Sequence, residues 1–212
     1  MLVTLNVDLE NASSMVLAAV ANVTEDSKVL HAMAKTQDYN VVKEILANPN
    51  VLPKTLDAVA RSITNSDLIA TGKIGIFVEI MLMESCAERT IRYILKQKSH
   101  QSMHVDIDGK LLYDLVEFSW RKVPNFTFDT LMYLIVNKRV NYRTIRQIFS
   151  EITLDDEQVS KLVSSLKKMY ETKRSIESPD EIAIIYNTLK NNFNITDDQF
   201  YEIVEEISGY IK

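Results

Sequence analysis

From Ser13 onward, apolar side chains recur every three to four residues, the spacing that gathers them on one face of a helix. The pattern predicts helices at 13–22, 26–35, 39–47, 53–63, 66–83 and 86–98, then at 110–121, 127–137, 141–151, 155–173, 179–192 and 197–210. Residues 1–10 read differently. Met1, Val3, Leu5, Val7 and Leu9 alternate with polar neighbours, the period-two signature of a half-buried strand. Met103, Val105 and Ile107 alternate as well and run into Asp108-Gly109, a favoured hairpin turn pair. The two segments can pair with each other, or the first can add to another subunit. Leu111 to Phe118 fits a helix at least as well as a second hairpin strand. The expected fold is all-α, an α-solenoid-like array of short antiparallel helix pairs with a minor N-terminal strand or hairpin at most.

Punctuation supports these boundaries. Asn48-Pro49-Asn50 separates two helices, because the residue before a proline disfavours α geometry. Pro53 stands where the next helix starts and its missing N–H costs nothing. Gly72 and Gly75 weaken the fifth helix, dividing it or admitting a close neighbour. Gln97–Lys110 is polar and marks a boundary, giving an N-terminal half at 1–98, a connector at 99–109 and a C-terminal half at 110–212. Ser178-Pro179-Asp180-Glu181 and Thr196-Asp197-Asp198-Gln199 are capping boxes, with Ile195 and Phe200 as a hydrophobic staple on the second.

One stretch repeats. Lys28-Val-Leu-His-Ala-Met-Ala-Lys35 returns 26 residues later as Lys54-Thr-Leu-Asp-Ala-Val-Ala-Arg61, and Ala21-Asn22 falls on Ala47-Asn48 at the same offset. A period of this size points to stacked helical repeats, none of which can bury its apolar face alone. A looser motif recurs at helix starts: Lys54-Thr-Leu, Arg89-Thr-Ile, Asp129-Thr-Leu and Arg143-Thr-Ile. Its irregular spacing reads as shared amphipathic-helix grammar rather than duplication. Leu46-Ala-Asn-Pro-Asn-Val-Leu-Pro-Lys-Thr-Leu-Asp-Ala-Val-Ala60 resembles the unit of leucine-rich-repeat-variant proteins, and Asp38–Ile45 resembles the other helix of that unit. The resemblance covers about residues 21–65 and implies a superhelix of short paired helices, HEAT-like in character. The founding member of that family has an N-terminal cysteine cluster for an iron–sulfur centre, and nothing here matches it.

Composition narrows the function classes. The chain has 212 residues, is 46% hydrophobic and 25% charged, and holds only 4 Gly and 4 Pro, which fits helices joined by short connections. A single cysteine, Cys86, rules out an internal disulfide and a Cys-based zinc site, and fits a reducing, cytoplasmic setting. No apolar run approaches the roughly 18 residues of a membrane span. Asp8 and Glu10 sit where a signal peptide would be apolar. The net charge of −5 is uneven: residues 1–85 balance at −4, residues 86–150 at +5 and residues 151–212 at −6. A basic middle could hold an anionic partner. Attraction between opposite segments within the fold is preferred, since strong nucleic-acid binders are usually basic overall.

Candidate chemistry is sparse. His100 and His104, followed by Asp106 and Asp108, have a spacing that would place two imidazoles on one helix face, but Ser99–His104 reads as a loop and no metal is expected. Asp155-Asp156-Glu157 and Asp197-Asp198 fall in first turns, where exposed N–H groups favour negative charge. Glu84 and Glu88 flank Cys86 and are expected to raise its pKa, the wrong direction for a nucleophile. The sharpest surface is central: Lys138, Arg139, Arg143 and Arg146 lie with Tyr133, Tyr142 and Trp120-Arg121-Lys122. Arg139, Arg143 and Arg146 share one helix face by spacing, and basic residues interleaved with aromatics can hold a phosphate backbone and stack bases. The expected function is a non-enzymatic protein-interaction or scaffold module without a cofactor, whose partner is a protein or a second copy of the chain. A nucleic-acid-binding regulator is the alternative.

Overall fold

A computed structural model describes residues 8–64, 70–98, 105–107, 110–112, 115–137, 140, 142–171, 196–198, 201 and 205. The protein is all-α. The described residues form α1 (Ser14–Val23), α2 (Ser27–Met33), α3 (Tyr39–Ala47), α4 (Pro53–Thr64), α5 (Ala70–Leu82) and α6 (Glu88–Lys98), then α7 (Leu115–Lys122), α8 (Phe128–Val136), α9 (Tyr142–Glu151) and α10 (Asp156–Glu171). One hairpin interrupts them, β1 (Val105–Ile107) against β2 (Lys110–Leu112), antiparallel with Val105 opposite Leu112 and Ile107 opposite Lys110. Residue contacts divide the chain into two compact units, Met1–Ile91 and Arg92–Lys212.

Local chemistry explains the helix ends. Ser13, Asp26, Asp38 and Thr127 each turn a side-chain oxygen onto a backbone N–H of the first turn, with Asp38 accepting from Asn40 at 2.9 Å and Val41 at 3.1 Å. Such caps satisfy donors that no intrahelical carbonyl can reach. Asp38 is held below the usual carboxylate range chiefly by the Val41 N–H. Pro53 opens α4 at its first position. Asp155 and Gln158 cap α10 reciprocally, the Asp155 carboxylate accepting from the Gln158 N–H at 2.8 Å and the Gln158 side chain from the Asp155 N–H at 3.2 Å.

Three expectations need correction, and others lie outside the described residues. Residues 110–112 are strand, not the start of a helix over 110–121, and α7 begins at Leu115. The Asp108-Gly109 pair between two short apolar runs outweighs helical spacing there. Asp8–Glu10 are not strand: the Asp8 carboxylate accepts from the Glu10 N–H and from Asn11 Nδ2, closing a turn. α5 runs unbroken through Gly72 and Gly75, and a Cβ at either would meet nothing within 4 Å, so these glycines serve no close approach. The rest of the 1–10 segment, the helix expected at 179–192 and the Ser178 capping box lie outside the described residues. So does most of 197–210, where residues 197, 198, 201 and 205 are helical.

In the first unit, α1 packs on α2 and α3, α2 on α3 and α4, and α5 on both α3 and α4. Leu30, Ala34, Val41, Val42, Ile45, Leu56, Val59, Ala60 and Ile63 are fully buried. The 26-residue correspondence thus holds where it matters for packing: Leu30 matches Leu56 and Ala34 matches Ala60. It fails upstream, where Asn22 is exposed and Asn48 is buried. Asn48 is claimed by the preceding turn. Its amide donates to the Ala21 carbonyl at 2.8 Å and the Thr24 carbonyl at 2.9 Å, while its oxygen accepts from the Asn50 N–H. Ser62 does the same one helix on, donating to the Lys35 and Thr36 carbonyls at 2.9 and 3.2 Å. Carbonyls at the ends of α1 and α2 are therefore capped by side chains about one repeat later. In the second unit, α7 packs on α9, and α8 on α10.

A second regularity runs through the helix starts. The threonines of the loose motif, Thr55, Thr90, Thr130 and Thr144, are all buried, and each is the third residue of its helix. For three of them the hydroxyl bonds the fifth residue of an earlier helix. Thr55 Oγ1 lies 3.4 Å from Nδ1 of His31 in α2, and Thr90 Oγ1 donates to Oδ1 of Asp57 in α4 at 3.1 Å. Arg92 Nε of α6 donates to Thr130 Oγ1 of α8, also at 3.1 Å. A buried hydroxyl must be bonded or its desolvation goes uncompensated. These bonds therefore fix the register of alternate helices, α2 with α4, α4 with α6 and α6 with α8.

Truncating Leu30 or Leu56 to Ala should cost roughly 2–5 kcal/mol each, from lost transfer energy and the residual cavity. Chemical denaturation measures this. A loss below about 1 kcal/mol at either position would contradict equivalent core roles for the two leucines.

Candidate functional site

The basic middle of the chain belongs largely to the second unit. Its helices α8 and α10 line a groove of about 820 Å³, with Arg92 of α6 on its wall. Arg92 is anchored twice: Nε donates to Thr130, and the guanidinium lies 5.4 Å from the ring centroid of Tyr133. That distance is within cation–π range. Across the groove, Lys161 of α10 reaches Asp129 of α8 at 3.1 Å and Glu157 of its own helix at 2.9 Å. Bonds to Glu157 and then Asp129 raise the Lys161 pKa, so it stays charged. Ser160, Ser164 and Ser165 supply hydroxyls and little bulk. The groove thus has an arginine on an aromatic ring, a charge-paired rim and a small-residue wall.

Two of the basic residues, Arg92 and Arg121, are drawn into internal contacts. Arg121 of α7 reaches Glu117 at 3.5 Å and Glu151 of α9 at 2.5 Å. Glu117 is buried, its side chain 8% exposed, so this ion pair offsets a real desolvation cost. Trp120 is half-buried and meets the edge of Phe126, centroids 5.9 Å apart at 89°. Tyr142, Arg143 and Arg146 lie on α9, whose buried positions are Thr144, Ile145, Ile148 and Phe149. Contact between α7 and α9 brings the helix of Trp120 beside that of Arg143 and Arg146. Lys138 and Arg139 lie outside the described residues, as do His100 and His104.

The remaining sequence candidates have structural explanations. Cys86 is buried and its thiol is pushed up to about 12, first by burial and then by the Asp57 carboxylate. The direction matches the expectation, but the cause is not the neighbouring glutamates. Asp155 is engaged as a helix cap, and Asp197 and Asp198 are exposed at helical positions. Among the described residues, no three His, Cys, Asp or Glu side chains are grouped to hold a metal ion. None of these residues forms a helix long and apolar enough to cross a membrane.

Sequence reasoning missed Arg92, Asp129 and Lys161. Arg92 carried one signal, its place two residues after the motif threonine Thr90, as Asp57 stands two after Thr55. Compared with protein-family models, with curated proteins and with solved structures, the chain matches none of them.

Burial separates the two ion-pair systems energetically. Arg121→Gln leaves the buried Glu117 without its nearest cation and should cost about 1–3 kcal/mol. Lys161→Gln removes two exposed ion pairs and should cost less than Arg121→Gln. Urea midpoints of the two variants check this, and an equal or reversed order would contradict it.

Proposed function

We propose that the chain is a non-enzymatic protein-interaction module, built as a HEAT-like array of stacked helix pairs and serving as a scaffold or assembly component. One observation carries the reading. The buried threonine at the third helical position bonds the fifth residue of an earlier helix three times, at His31–Thr55, Asp57–Thr90 and Arg92–Thr130. A bond rule that recurs from helix to helix is what stacking of like units produces, since each unit contacts only its neighbours. Contacts between alternate helices, α1 with α3, α2 with α4, α7 with α9 and α8 with α10, support the same arrangement. Stacked helix pairs offer long side-chain-lined surfaces, which suit macromolecular partners. The local resemblance to leucine-rich-repeat-variant units over about residues 21–65 agrees with this proposal. A cytoplasmic setting belongs to it as well, because a lone buried thiol suits a reducing compartment.

A nucleic-acid-binding regulator is the second reading, favoured by the +5 balance of residues 86–150 and by Arg143 and Arg146 three positions apart on α9. The engagement of Arg92 and Arg121 in internal contacts weighs against it.

Electrophoretic shift at physiological salt separates the two readings. The interaction module shows weak binding to DNA and RNA that salt erases, because phosphate contacts release counterions. It also captures a defined protein partner in affinity purification read by mass spectrometry. A tight nucleic-acid complex abolished by Arg139→Glu/Arg143→Glu/Arg146→Glu would replace the proposal with the alternative.

A further inference from the structure

α1 is unlike the other helices of the first unit: none of its ten residues, Ser14 to Val23, is charged. Only Ala21 is buried. Met15 is 78% exposed, Val23 74% and Val16 43%, and Ala19 is exposed as well. At about 100° per residue these four positions fall within roughly one quarter to one third of the helix circumference. They make one continuous apolar stripe, on the side of α1 away from Ala21. A contiguous exposed apolar stripe is a place to look for a partner, as scattered single apolar residues are not.

The charge around the stripe identifies what fits it. Residues 1–27 contain no Lys, Arg or His, and hold four carboxylates, Asp8, Glu10, Glu25 and Asp26. Two precede α1 and two follow it, and all four residues are exposed except for the caps they form. A second copy of the chain laid on this face, parallel or antiparallel, would set acidic ends against acidic ends, four carboxylates from each copy with Lys28 the one base beside them. An anionic lipid surface would be repelled for the same reason. We propose that the outer face of α1 docks an amphipathic helix of a partner protein. The apolar side of that helix covers Met15, Val16, Ala19 and Val23, and Lys or Arg residues at its two ends meet Asp8 and Glu10 at one end and Glu25 at the other. This is helix-on-helix recognition by spaced apolar anchors, with charge setting the choice of partner.

The inference rests on the reading of the chain as an interaction module but uses a different surface from the basic middle. The probe is a synthetic amphipathic peptide of about four turns with Leu at i, i+3, i+4 and i+7 and a Lys pair at each end, with a Glu-ended twin as control. Fluorescence anisotropy with the full chain should show the Lys-ended peptide binding at least about tenfold tighter than its twin, a gap that shrinks with salt. Met15→Glu/Val23→Glu should weaken that binding about tenfold or more while helical circular dichroism stays unchanged, both side chains being mostly exposed. Glu10→Lys/Glu25→Lys should invert the preference between the peptides. Equal affinity for the twins, no binding of the Lys-ended peptide, or binding insensitive to both double variants would overturn the inference. So would a concentration-dependent dimer in sedimentation that Met15→Glu/Val23→Glu dissolves. A native partner retained equally by wild type and Met15→Glu/Val23→Glu would remove this docking face and leave the interaction-module reading standing.

Discussion

A hydroxyl buried at the third position of a helix needs a bonding partner, and at three helix starts of this protein another helix supplies one. Thr55, Thr90 and Thr130 meet that need with His31, Asp57 and Arg92 in turn. The consequence is register. Apolar contacts among Leu30, Val59, Ala60 and their neighbours supply most of the burial, but dispersion and hydrophobic contact are tolerant of sliding. A hydrogen bond of about 3.1 Å between two fixed helical positions is not, because its strength falls steeply with distance and angle. Polar side chains at the other helix ends add to the constraint, Asn48 and Ser62 each closing carbonyls that a helix terminus leaves open. Geometry at both ends of a helix is then set by its neighbour.

The chemistry of the partner varies while its position does not. His31, Asp57 and Arg92 have in common only the ability to exchange a hydrogen bond with a hydroxyl, which can donate or accept. Threonine therefore suits the fixed side of the contact, and its methyl group fills apolar space beside the bonded oxygen. Asp57 shows the balance of forces. Burial pushes its pKa up, but bonds from Arg61 and Thr90, with the charges of Arg61 and Arg89, outweigh it and hold the carboxylate below its ordinary range. The buried Cys86 nearby feels the same carboxylate in the opposite sense.

Much of this was legible before any coordinates. Helical spacing located α3 at its observed bounds and α1, α4, α6, α8 and α9 to within two residues at each end, because their apolar stripes are broken by Pro, Asn or a capping residue. The offset of 26 found Leu30 and Leu56 as matched core positions. The Thr-Leu/Ile motif is visible in the sequence, yet it reads as general grammar because its copies are irregularly spaced and the partner residue changes type from His31 to Asp57 to Arg92. β2 was hidden for a different reason: Lys110–Leu112 is only three residues long, and the apolar spacing from Leu111 onward suits a helix. The groove walls at Arg92, Tyr133 and Lys161 join residues up to 69 positions apart, a proximity that no local pattern encodes. Helical spacing predicts α1 as a helix at 13–22 but not its exposed stripe, since periodicity cannot tell which apolar residues a neighbour covers.

The central claim is that the threonine contact couples alternate helices, and a double-mutant cycle on Asp57 and Thr90 tests it most directly. Asp57→Asn, Thr90→Val and the pair together are unfolded in urea at pH 7 and again near pH 3. The depressed pKa of folded Asp57 means its ionised form contributes stability above the ordinary carboxylate value of about 4, and that contribution is lost as pH falls through the folded value. The account predicts a coupling of about 1 kcal/mol or more at pH 7, since the bond is to a charged acceptor, and a smaller coupling in acid. Additive effects at pH 7, within about 0.3 kcal/mol, would show that the two helices are held together without this contact and would contradict the account.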